Sequence, residues 1–346
     1  MSVRTALRAP GRRGFLAASA AAMMAGAWAP SDAQDAKPAR VDVHHHYFPP
    51  QYLAAARPAT GWAPQMAAWV PQRSLDDMDR GGVQTAMISI TTPGLWFGNA
   101  AASQKLARLC NEYAADLRRT YPGRFGMFTA LPLPDVAASL AEIAYGFDVL
   151  KADGVGMFTS YPGKIWFGAP QLDPVFAELN RRNAVVFVHP TTNACCENLT
   201  FVDDAIVEYP SDTARTLASY VFSGAAARYP NIRLIFSHGG GTMPFLIGRF
   251  LAKAQDPAFG SHVPGGVVPM LQSFYYDTAS IENPEALAAL TKLVPSSHIL
   301  FGTDFPYGNA AAQFANIAKS APFSDADLQA IGARNAAAFF PNILRR

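Results

Sequence analysis

Short apolar stretches alternate with longer amphipathic stretches eight times along this chain, and this alternation limits the folds that the chain can adopt. The short stretches have the length of strands and are apolar at successive positions, as in Val185-Val186-Phe187-Val188. Such strands must bury both faces, which is typical of a parallel sheet covered by helices. Eight strand–helix units in 346 residues predict a single-domain α/β protein with a (β/α)8 TIM-barrel fold.

The strands and helices of this barrel can be placed approximately from the pattern. The predicted strands are 41–44, 84–90, 125–131, 154–159, 184–188, 232–237, 274–278 and 298–302. The predicted helices are 74–81, 103–120, 135–151, 172–182, 213–227, 244–254, 284–294, 310–319 and a closing helix at 325–340. Ser74 and Ser324 are typical residues for a helix start. The connections 47–73 and 191–212 are long, and long loops in a compact domain usually serve a functional site. A doubly wound open sheet would require a Gly-rich phosphate-binding turn, which the sequence lacks.

The first 33 residues have the pattern of an export signal. Arg12-Arg13-Gly14-Phe15-Leu16 precedes an apolar run and small residues, which is typical of a twin-arginine signal, with cleavage expected after Ala33. An ordinary secretory signal is the alternative. We expect export through the twin-arginine machinery to the periplasm or outside the cell, a linker at 34–39 and the barrel at 40–346. The apolar run is too short for a stable membrane span.

Composition and charge exclude some function classes. Half of the chain is hydrophobic, which suits a protein with a large core. The formal net charge is +2, but four Arg and one Asp lie in residues 1–33. The remaining chain is slightly acidic, so no basic surface indicates a nucleic-acid partner. Cys110 lies in a helical pattern and is expected in the core, whereas Cys195 and Cys196 do not form a disulfide framework.

The first strand runs into three consecutive histidines, His44, His45 and His46. Alternate side chains of a strand share a face, so His44 and His46 should point the same way and His45 the other way. Two imidazoles on one side of a strand end can bind one divalent metal ion. A local polar cluster is the alternative interpretation of this motif.

Other candidate ligands follow later strands. His189 ends the fifth predicted strand, His238 ends the sixth, and Asp304 follows the eighth. Because the functional residues of a TIM barrel lie at the carboxyl ends of its strands, these side chains should meet the first-strand pair on one rim. Imidazole and carboxylate groups are suitable ligands for Zn²⁺ and also for manganese or iron. Each histidine taken singly could instead be a structural residue.

These motifs together resemble those of the amidohydrolase superfamily. The resemblance is carried by His44-x-His46, His189-Pro190, His238-Gly239-Gly240-Gly241 and Gly302-Thr303-Asp304. It is strongest with the branch containing 2-amino-3-carboxymuconate-6-semialdehyde decarboxylase, γ-resorcylate decarboxylase and 6-methylsalicylate decarboxylase. The resemblance implies one divalent metal ion, Zn²⁺ or otherwise Mn²⁺, bound by His44, His46, His189 and Asp304. It implies a catalytic role for His238, and a homodimer in which Arg249 reaches the neighbouring subunit's site.

The sequence also bears on the substrate. Many hydrolases of the superfamily that the chain resembles use two metal ions bridged by a modified lysine at the end of the fourth strand. No lysine ends that strand here, so the resemblance favours a mononuclear site. Residues 61–66 contain no arginine to bind a second substrate carboxylate. The loops instead carry aromatic residues that suit a flat aromatic acid: Tyr47, Trp62, Trp69, Trp96, Phe97 and Trp166. Trp96 and Trp166 are the predicted substrate contacts.

We therefore expect a metal-dependent non-oxidative decarboxylase, a carboxy-lyase, that acts on a small carboxylic acid such as a hydroxybenzoate. Asp304 or His238 would carry the proton. One alternative is a mononuclear hydrolase of a lactone, ester or amide. Another is a non-catalytic barrel that binds a metal ion or an aromatic ligand.

Overall fold

The computed structural model describes residues 39–60, 64–191, 199–320, 323–340 and residue 343. All of them belong to one compact unit, Lys37–Arg346. The predicted export signal, nearly all of the linker, Trp62 and the Cys195-Cys196 pair lie outside the described residues. The domain boundaries in this region therefore stay predictions.

Parallel strands form the centre of the fold. The strands are β1 Arg40–His46, β2 Val83–Ser89, β3 Phe125–Ala130, β4 Gly154–Phe158, β5 Ser160–Tyr161, β6 Ile165–Trp166, β7 Val185–His189, β8 Arg233–Phe236, β9 Tyr275–Asp277 and β10 Ile299–Leu300. Within the described residues, eight of them form one parallel sheet in the order β1-β2-β3-β4-β7-β8-β9-β10, and β5 and β6 form an antiparallel hairpin. The Val43 N–H donates to Phe301 O at 2.9 Å and the Asp304 N–H to His44 O at 2.8 Å, so the last strand segment meets the first. The predicted TIM barrel is confirmed.

Helices connect the strands and cover the sheet. They are α1 Pro50–Thr60, α2 Pro64–Ala67, α3 Pro71–Gly81, α4 Ala100–Thr120, α5 Val136–Ala144, α6 Asp173–Arg181, α7 Asp204–Phe222, α8 Ala225–Arg228, α9 Met243–Ala254, α10 Pro257–Gly260, α11 Val267–Gln272, α12 Pro284–Leu293, α13 Ala310–Ser320, α14 Asp325–Gln329 and α15 Asn335–Phe339. Single π-helical turns follow α5 and α14, at Tyr145–Val149 and Ala330–Arg334. Among the described residues, none of the helices has the length and continuous apolar character needed to cross a membrane.

Two predicted helix starts were wrong. The helix placed at Ser74 begins at Pro71, because a proline at the first helical position has the φ angle that a helix needs. The Ser74 side chain is inside this helix and makes tertiary hydrogen bonds instead. The helix placed at 213–227 begins at Asp204 and contains Pro210 in its interior. Ser324, by contrast, caps α14 as predicted, in a capping box with Asp327.

The long connections contain more structure than the sequence pattern indicated. The connection 47–73 contains α1, α2 and the first turn of α3, and the first turns of α7 lie in the connection 191–212. Several prolines interrupt these stretches, which hides their helical periodicity. Tyr47 and Trp69, which were candidate substrate contacts, are buried, and the Tyr47 hydroxyl donates to Cys110 O. Cys110 itself lies in the core, as predicted.

An apolar cluster fills the barrel at the end where the strands begin. Inward-facing residues of six strands form it, and the closing segment of the chain adds Ala336, Phe339, Phe340 and Ile343 to it. The ring of Phe340 lies 6.1 Å from that of Phe128, between centroids. The opposite end of the barrel, where the strands finish, is lined by polar side chains.

Candidate metal centre

A bulge in β1 presents two histidines to the barrel interior. The register between β1 and β2 shifts between Asp42 and His45, so β1 has one extra residue there. Val43 faces the interior apolar cluster, and beyond the shift His44 also points inward, together with His46. Bulges redirect side chains in this way near functional sites. His45 points outward to Ser74, as strand alternation predicted.

Three later segments bring further ligand-type groups to this pair. His189 ends β7, His238 follows β8, and Asp304 follows β10. The Asp304 carboxylate has Oδ1 at 2.9 Å from His46 Nε2 and at 3.2 Å from His44 Nε2. Its Oδ2 atom lies 3.4 Å from His238 Nε2. The His189 ring lies 5.1 Å from that of His44 and 4.8 Å from that of His46, between centroids.

All five side chains predicted to lie on one rim therefore converge. Ligand atoms of His44, His189, His238 and Asp304 lie within 4.8 Å of one another, a separation that one metal ion can bridge. His46 is not in that set of four, but its Nε2 atom lies 3.1 Å from His44 Nε2. Five candidate donors thus lie around one position. A four-coordinate site with one open position requires only three protein ligands, so the donors present are more than enough.

Hydrogen bonds at Nδ1 distinguish three of the histidines as candidate ligands. Nδ1 of His44 contacts Asp277 Oδ2 at 2.8 Å, that of His46 contacts Ser89 O at 3.3 Å, and that of His189 contacts Pro190 O at 2.7 Å. Each partner can only accept, so each Nδ1 carries the proton. With its Nδ1 proton held in this way, the neutral form of each ring has its Nε2 lone pair available for a metal ion. A donor set of three neutral imidazoles and one carboxylate fits a divalent cation.

The fourth ring, His238, is held differently. Its Nδ1 atom is buried and has no hydrogen-bond partner among the described residues. Its backbone N–H donates to Asp277 Oδ1 at 2.9 Å, which fixes the loop but leaves the ring tautomer undetermined. His238 and Asp304 both have positive φ angles, of 53° and 57°. Such backbone costs on the order of 1–3 kcal/mol per residue and is found mainly at functional sites.

The charges of the cluster favour a cation at its centre. Burial alone would raise the pKa of Asp304, but His44, His238 and His46 hold this pKa well below its usual range. Burial lowers the pKa of His46 and lowers that of His189 strongly. Burial opposes protonation of His44 as well, but Asp277 and Asp304 outweigh it and raise the pKa of His44 to about 10. Without a metal ion His44 therefore stays protonated at neutral pH, and a metal ion bound by its Nε2 atom would displace that proton.

Asp277 is the important residue that the sequence interpretation missed. It ends β9 and contacts both His44 and the His238 backbone, so it couples a candidate ligand to the candidate catalytic residue. A carboxylate at the carboxyl end of a barrel strand was a usable signal. The rings of Tyr209 and Tyr307, also missed, lie 6.3 Å from those of His189 and His46 respectively.

Among the described residues, the structure gives no contact between the predicted substrate residues and the cluster. Trp96 is half-buried in the loop after β2. Trp166 lies in β6, with the Arg215 guanidinium 5.5 Å from its ring centroid. Arg249 is exposed on α9, and the structure gives it no contact with the cluster among the described residues. Their roles in substrate binding stay predictions.

Comparison with known proteins identifies the family. The sequence pattern of the amidohydrolase family matches residues 41–341. The chain belongs to the amidohydrolase family. This amidohydrolase is 34% identical over 317 residues to the 6-methylsalicylic acid decarboxylase of Penicillium expansum, with 88% of this chain and 97% of the relative covered. It is 28% identical over 247 residues to a 2-amino-3-carboxymuconate-6-semialdehyde decarboxylase of Dictyostelium discoideum, with 69% of this chain and 67% of the relative covered. The predicted resemblance to the decarboxylase branch is confirmed.

Solved structures show the same fold. A crystal structure named as an amidohydrolase II superposes with a TM-score of 0.82 at 26% identity and covers 88% of this chain and all of its own. A dihydroxybenzoic acid decarboxylase from Polaromonas, solved with manganese and 2-nitroresorcinol, superposes with a TM-score of 0.74 at 21% identity. That match covers 88% of this chain and 97% of the other.

Proposed function

We propose that this amidohydrolase is a metal-dependent, non-oxidative decarboxylase of a small aromatic carboxylic acid of the hydroxybenzoate type. The observation that carries the proposal is the set of three inward-facing Nε2 atoms around the Asp304 carboxylate. Its decarboxylase relatives, including one that acts on 6-methylsalicylic acid, support the reaction class and the type of substrate.

The donor set supports one divalent cation. His44, His46, His189 and Asp304 would hold it, because these three histidines have their Nδ1 protons fixed away from the cluster. Three imidazoles favour Zn²⁺ on ligand chemistry. Mn²⁺ is the alternative, and manganese is present in a structural neighbour. When bound, the cation would polarise the carboxylate and any adjacent phenolic oxygen of the substrate.

The chain itself supplies the proton transfer. The bond between the ring carbon and the carboxylate breaks, its electron pair stays on the ring carbon, and carbon dioxide leaves. A proton must then reach that carbon. His238 Nε2 and Asp304 Oδ2 lie 3.4 Å apart, so this pair can share one proton and deliver it.

Aromatic side chains around the cluster support a flat substrate. Tyr209 and Phe158 flank His189, at ring-centroid distances of 6.3 and 6.4 Å, and Tyr307 flanks His46. We propose that an aromatic acid lies between these rings, with Trp96 and Trp166 farther out in the same group of loops. Offset or edge-to-face ring contacts would then orient the substrate over the metal centre.

A combined metal and turnover assay tests the proposed function. Metal analysis of the purified protein should give one divalent ion per chain. The loaded protein should release carbon dioxide from at least one member of a panel of salicylates and resorcylates. Hydrolysis of lactones or esters without carbon dioxide release would favour the hydrolase alternative. Stoichiometric metal with no turnover of any compound would favour a binding protein.

We also propose a homodimer in which Arg249 acts in the neighbouring subunit's site. Phe245, Gly248 and Arg249 share the outer face of α9, where Phe245 is 87% exposed. A Cβ atom built on Gly248 would meet no other atom within 4 Å, so a partner could approach this face closely. Phe201 and Ile206 add exposed apolar surface before and at the start of α7, the helix that packs against α9.

Mixing inactive subunits tests this arrangement. Arg249→Ala and His238→Asn subunits should each be inactive alone. After mixing and exchange, the hybrid dimers should regain activity, because one of their two sites has both residues intact. A protein that elutes as a monomer at working concentration would contradict the proposal, and so would a mixture that stays inactive.

We propose, finally, that the chain is exported by the twin-arginine machinery. The proposal rests on Arg12-Arg13-Gly14-Phe15-Leu16 and the apolar run after it. Replacing Arg12 and Arg13 by lysine should retain the protein in the cytoplasm, as fractionation of expressing cells would reveal. Unchanged export of the double-lysine variant would favour an ordinary secretory signal.

A further inference from the structure

A continuous chain of buried hydrogen bonds lies on the outer side of β1, away from the metal centre. Trp69 Nε1 donates to Ser74 Oγ at 3.0 Å, and Ser74 Oγ lies 2.9 Å from His45 Nε2. His45 Nδ1 lies 2.9 Å from Asp42 Oδ2, which also accepts from the Thr303 hydroxyl at 2.6 Å. All five side chains are almost fully buried.

The two ends of this hydrogen-bond network constrain the directions of its bonds. The indole N–H of Trp69 can only donate and the Asp42 carboxylate can only accept. His45 Nδ1 therefore donates to Asp42, and when the ring is neutral the Ser74 hydroxyl donates to His45 Nε2. A neutral imidazole satisfies both requirements. The order Ser–His–Asp is that of a hydrolytic triad, but Ser74 is buried and bonded on both sides, and Phe305 stacks on His45 at 4.5 Å.

In this hydrogen-bond network, Asp42 holds the backbone at or beside two candidate metal ligands. Asp42 Oδ1 accepts the His44 N–H at 3.0 Å and the Thr303 N–H at 3.1 Å. The Thr303 hydroxyl accepts the Phe305 N–H at 3.1 Å, so both neighbours of Asp304 in the sequence are tied to this network. Asp304 itself has a positive φ angle of 57°, which few residues adopt without support.

We propose that Trp69, Ser74, His45, Asp42 and Thr303 form a positioning network that sets the affinity of the metal centre. The network would hold Asp304 and His44 at the separation that one cation requires, without touching the cation or the substrate. It also links the metal centre to the connection before α3, where Trp69 packs against Phe48. This inference rests on the proposed metal site.

Two substitutions with matched controls test the network. Ser74→Ala removes the central hydroxyl, and Thr303→Val removes the hydroxyl beside Asp304. Ser103→Ala and Thr129→Val are the controls, because both hydroxyls are equally buried and have no hydrogen-bond partner among the described residues. Metal dissociation constants are measured by competition with a chelator, well below the unfolding temperature of each variant. We expect Ser74→Ala and Thr303→Val to weaken binding about tenfold to hundredfold, as loss of support around a ligand usually does.

Further measurements separate a positioning role from a structural one. Thr303→Ser keeps the hydroxyl and should restore the wild-type metal affinity, and the two controls should leave it unchanged. If Ser74→Ala and Thr303→Val lose thermal stability while their metal affinity stays constant, the network is only structural and the inference is wrong. If the wild-type protein binds no metal at all, the proposed metal centre fails first and the inference fails with it.

A spectroscopic readout is independent of the metal ion. Nitrogen chemical shifts of His45 in chelator-treated protein should report a neutral ring with its proton on Nδ1. A ring protonated on Nε2, or on both nitrogens, would overturn the assigned direction of the network. In Ser74→Ala, the His45 Nε2 resonance should move because that atom loses its donor.

Discussion

The substitution Asp277→Asn should weaken metal binding although Asp277 is not itself a ligand. Asp277 Oδ2 accepts the Nδ1 proton of His44, and its Oδ1 atom accepts the backbone N–H groups of His238 and Ala279 at 2.9 and 3.0 Å. In asparagine, the oxygen must face those two N–H donors. The amide NH₂ group then points at His44 Nδ1 and forces the His44 proton onto Nε2, the nitrogen that faces the cluster.

The size of the effect follows from the hydrogen bond that is lost. A hydrogen bond to a charged group contributes about 1.5–3 kcal/mol. Each 1.4 kcal/mol corresponds to a factor of ten in a dissociation constant. Metal affinity should therefore fall about tenfold to hundredfold, with only a small change in side-chain shape.

Chelator competition measures this change directly. Asp153→Asn is a suitable control, because Asp153 also accepts a backbone N–H, that of Met127, but lies before β4 at the other end of the barrel. The control should bind metal as the wild type does. Wild-type affinity in Asp277→Asn would refute the assignment of the His44 proton to Nδ1, and the ligand assignment of His44 with it.

Three further outcomes are expected. The pKa of His44 is about 10 in the fold against 6.5 in the unfolded chain, so its proton contributes stability to the metal-free fold that is fully present below pH 6.5 and is lost as the pH rises towards 10. The melting temperature of chelated protein should fall across that range. The melting temperature of metal-loaded protein should not. The His238→Asn variant should lose about a hundredfold to ten-thousandfold in turnover and keep its metal ion. The His46→Asn variant should lose the metal ion. Loss of metal from the His238 variant would instead make His238 a ligand. Gly241→Ala should destabilise the fold by about 1–3 kcal/mol in thermal denaturation, because Gly241 has a φ angle of +60° and its Cβ would lie 2.0 Å from Pro210 O. Gly248→Ala, on the open face of α9, should leave the stability unchanged.

The barrel could be predicted from the sequence because its strands are buried on both faces. Such strands, like Val185–His189, are continuous apolar runs that stand out against any helix. The helices α1 and α7 were harder, because Pro50, Pro58 and Pro210 lie within them or at their starts. Proline is read as a helix breaker, and only tertiary packing decides where it is tolerated.

The candidate ligands could be named from the sequence because each one follows a strand. Because all strands of a barrel end at one rim, residues that follow different strands are expected to meet there, which the local sequence around each residue does not indicate. The outer network escaped this reasoning, since Asp42, His45 and Ser74 make contacts that depend on strand register and on the β1 bulge. Asp277 ends a strand and could have been named by the same rule. Nothing in a linear pattern specifies which buried carboxylate meets which imidazole.

The apolar cluster at the base of the barrel has a consequence for turnover. With Phe339 and Phe340 among the side chains that fill that end, the acid that arrives and the carbon dioxide and decarboxylated ring that depart must share the opening above the strands. For a decarboxylase of this design, a phenol accumulating in the medium competes with incoming acid for the same passage. We therefore expect competitive product inhibition in steady-state kinetics, because the product and the acid would occupy the same site.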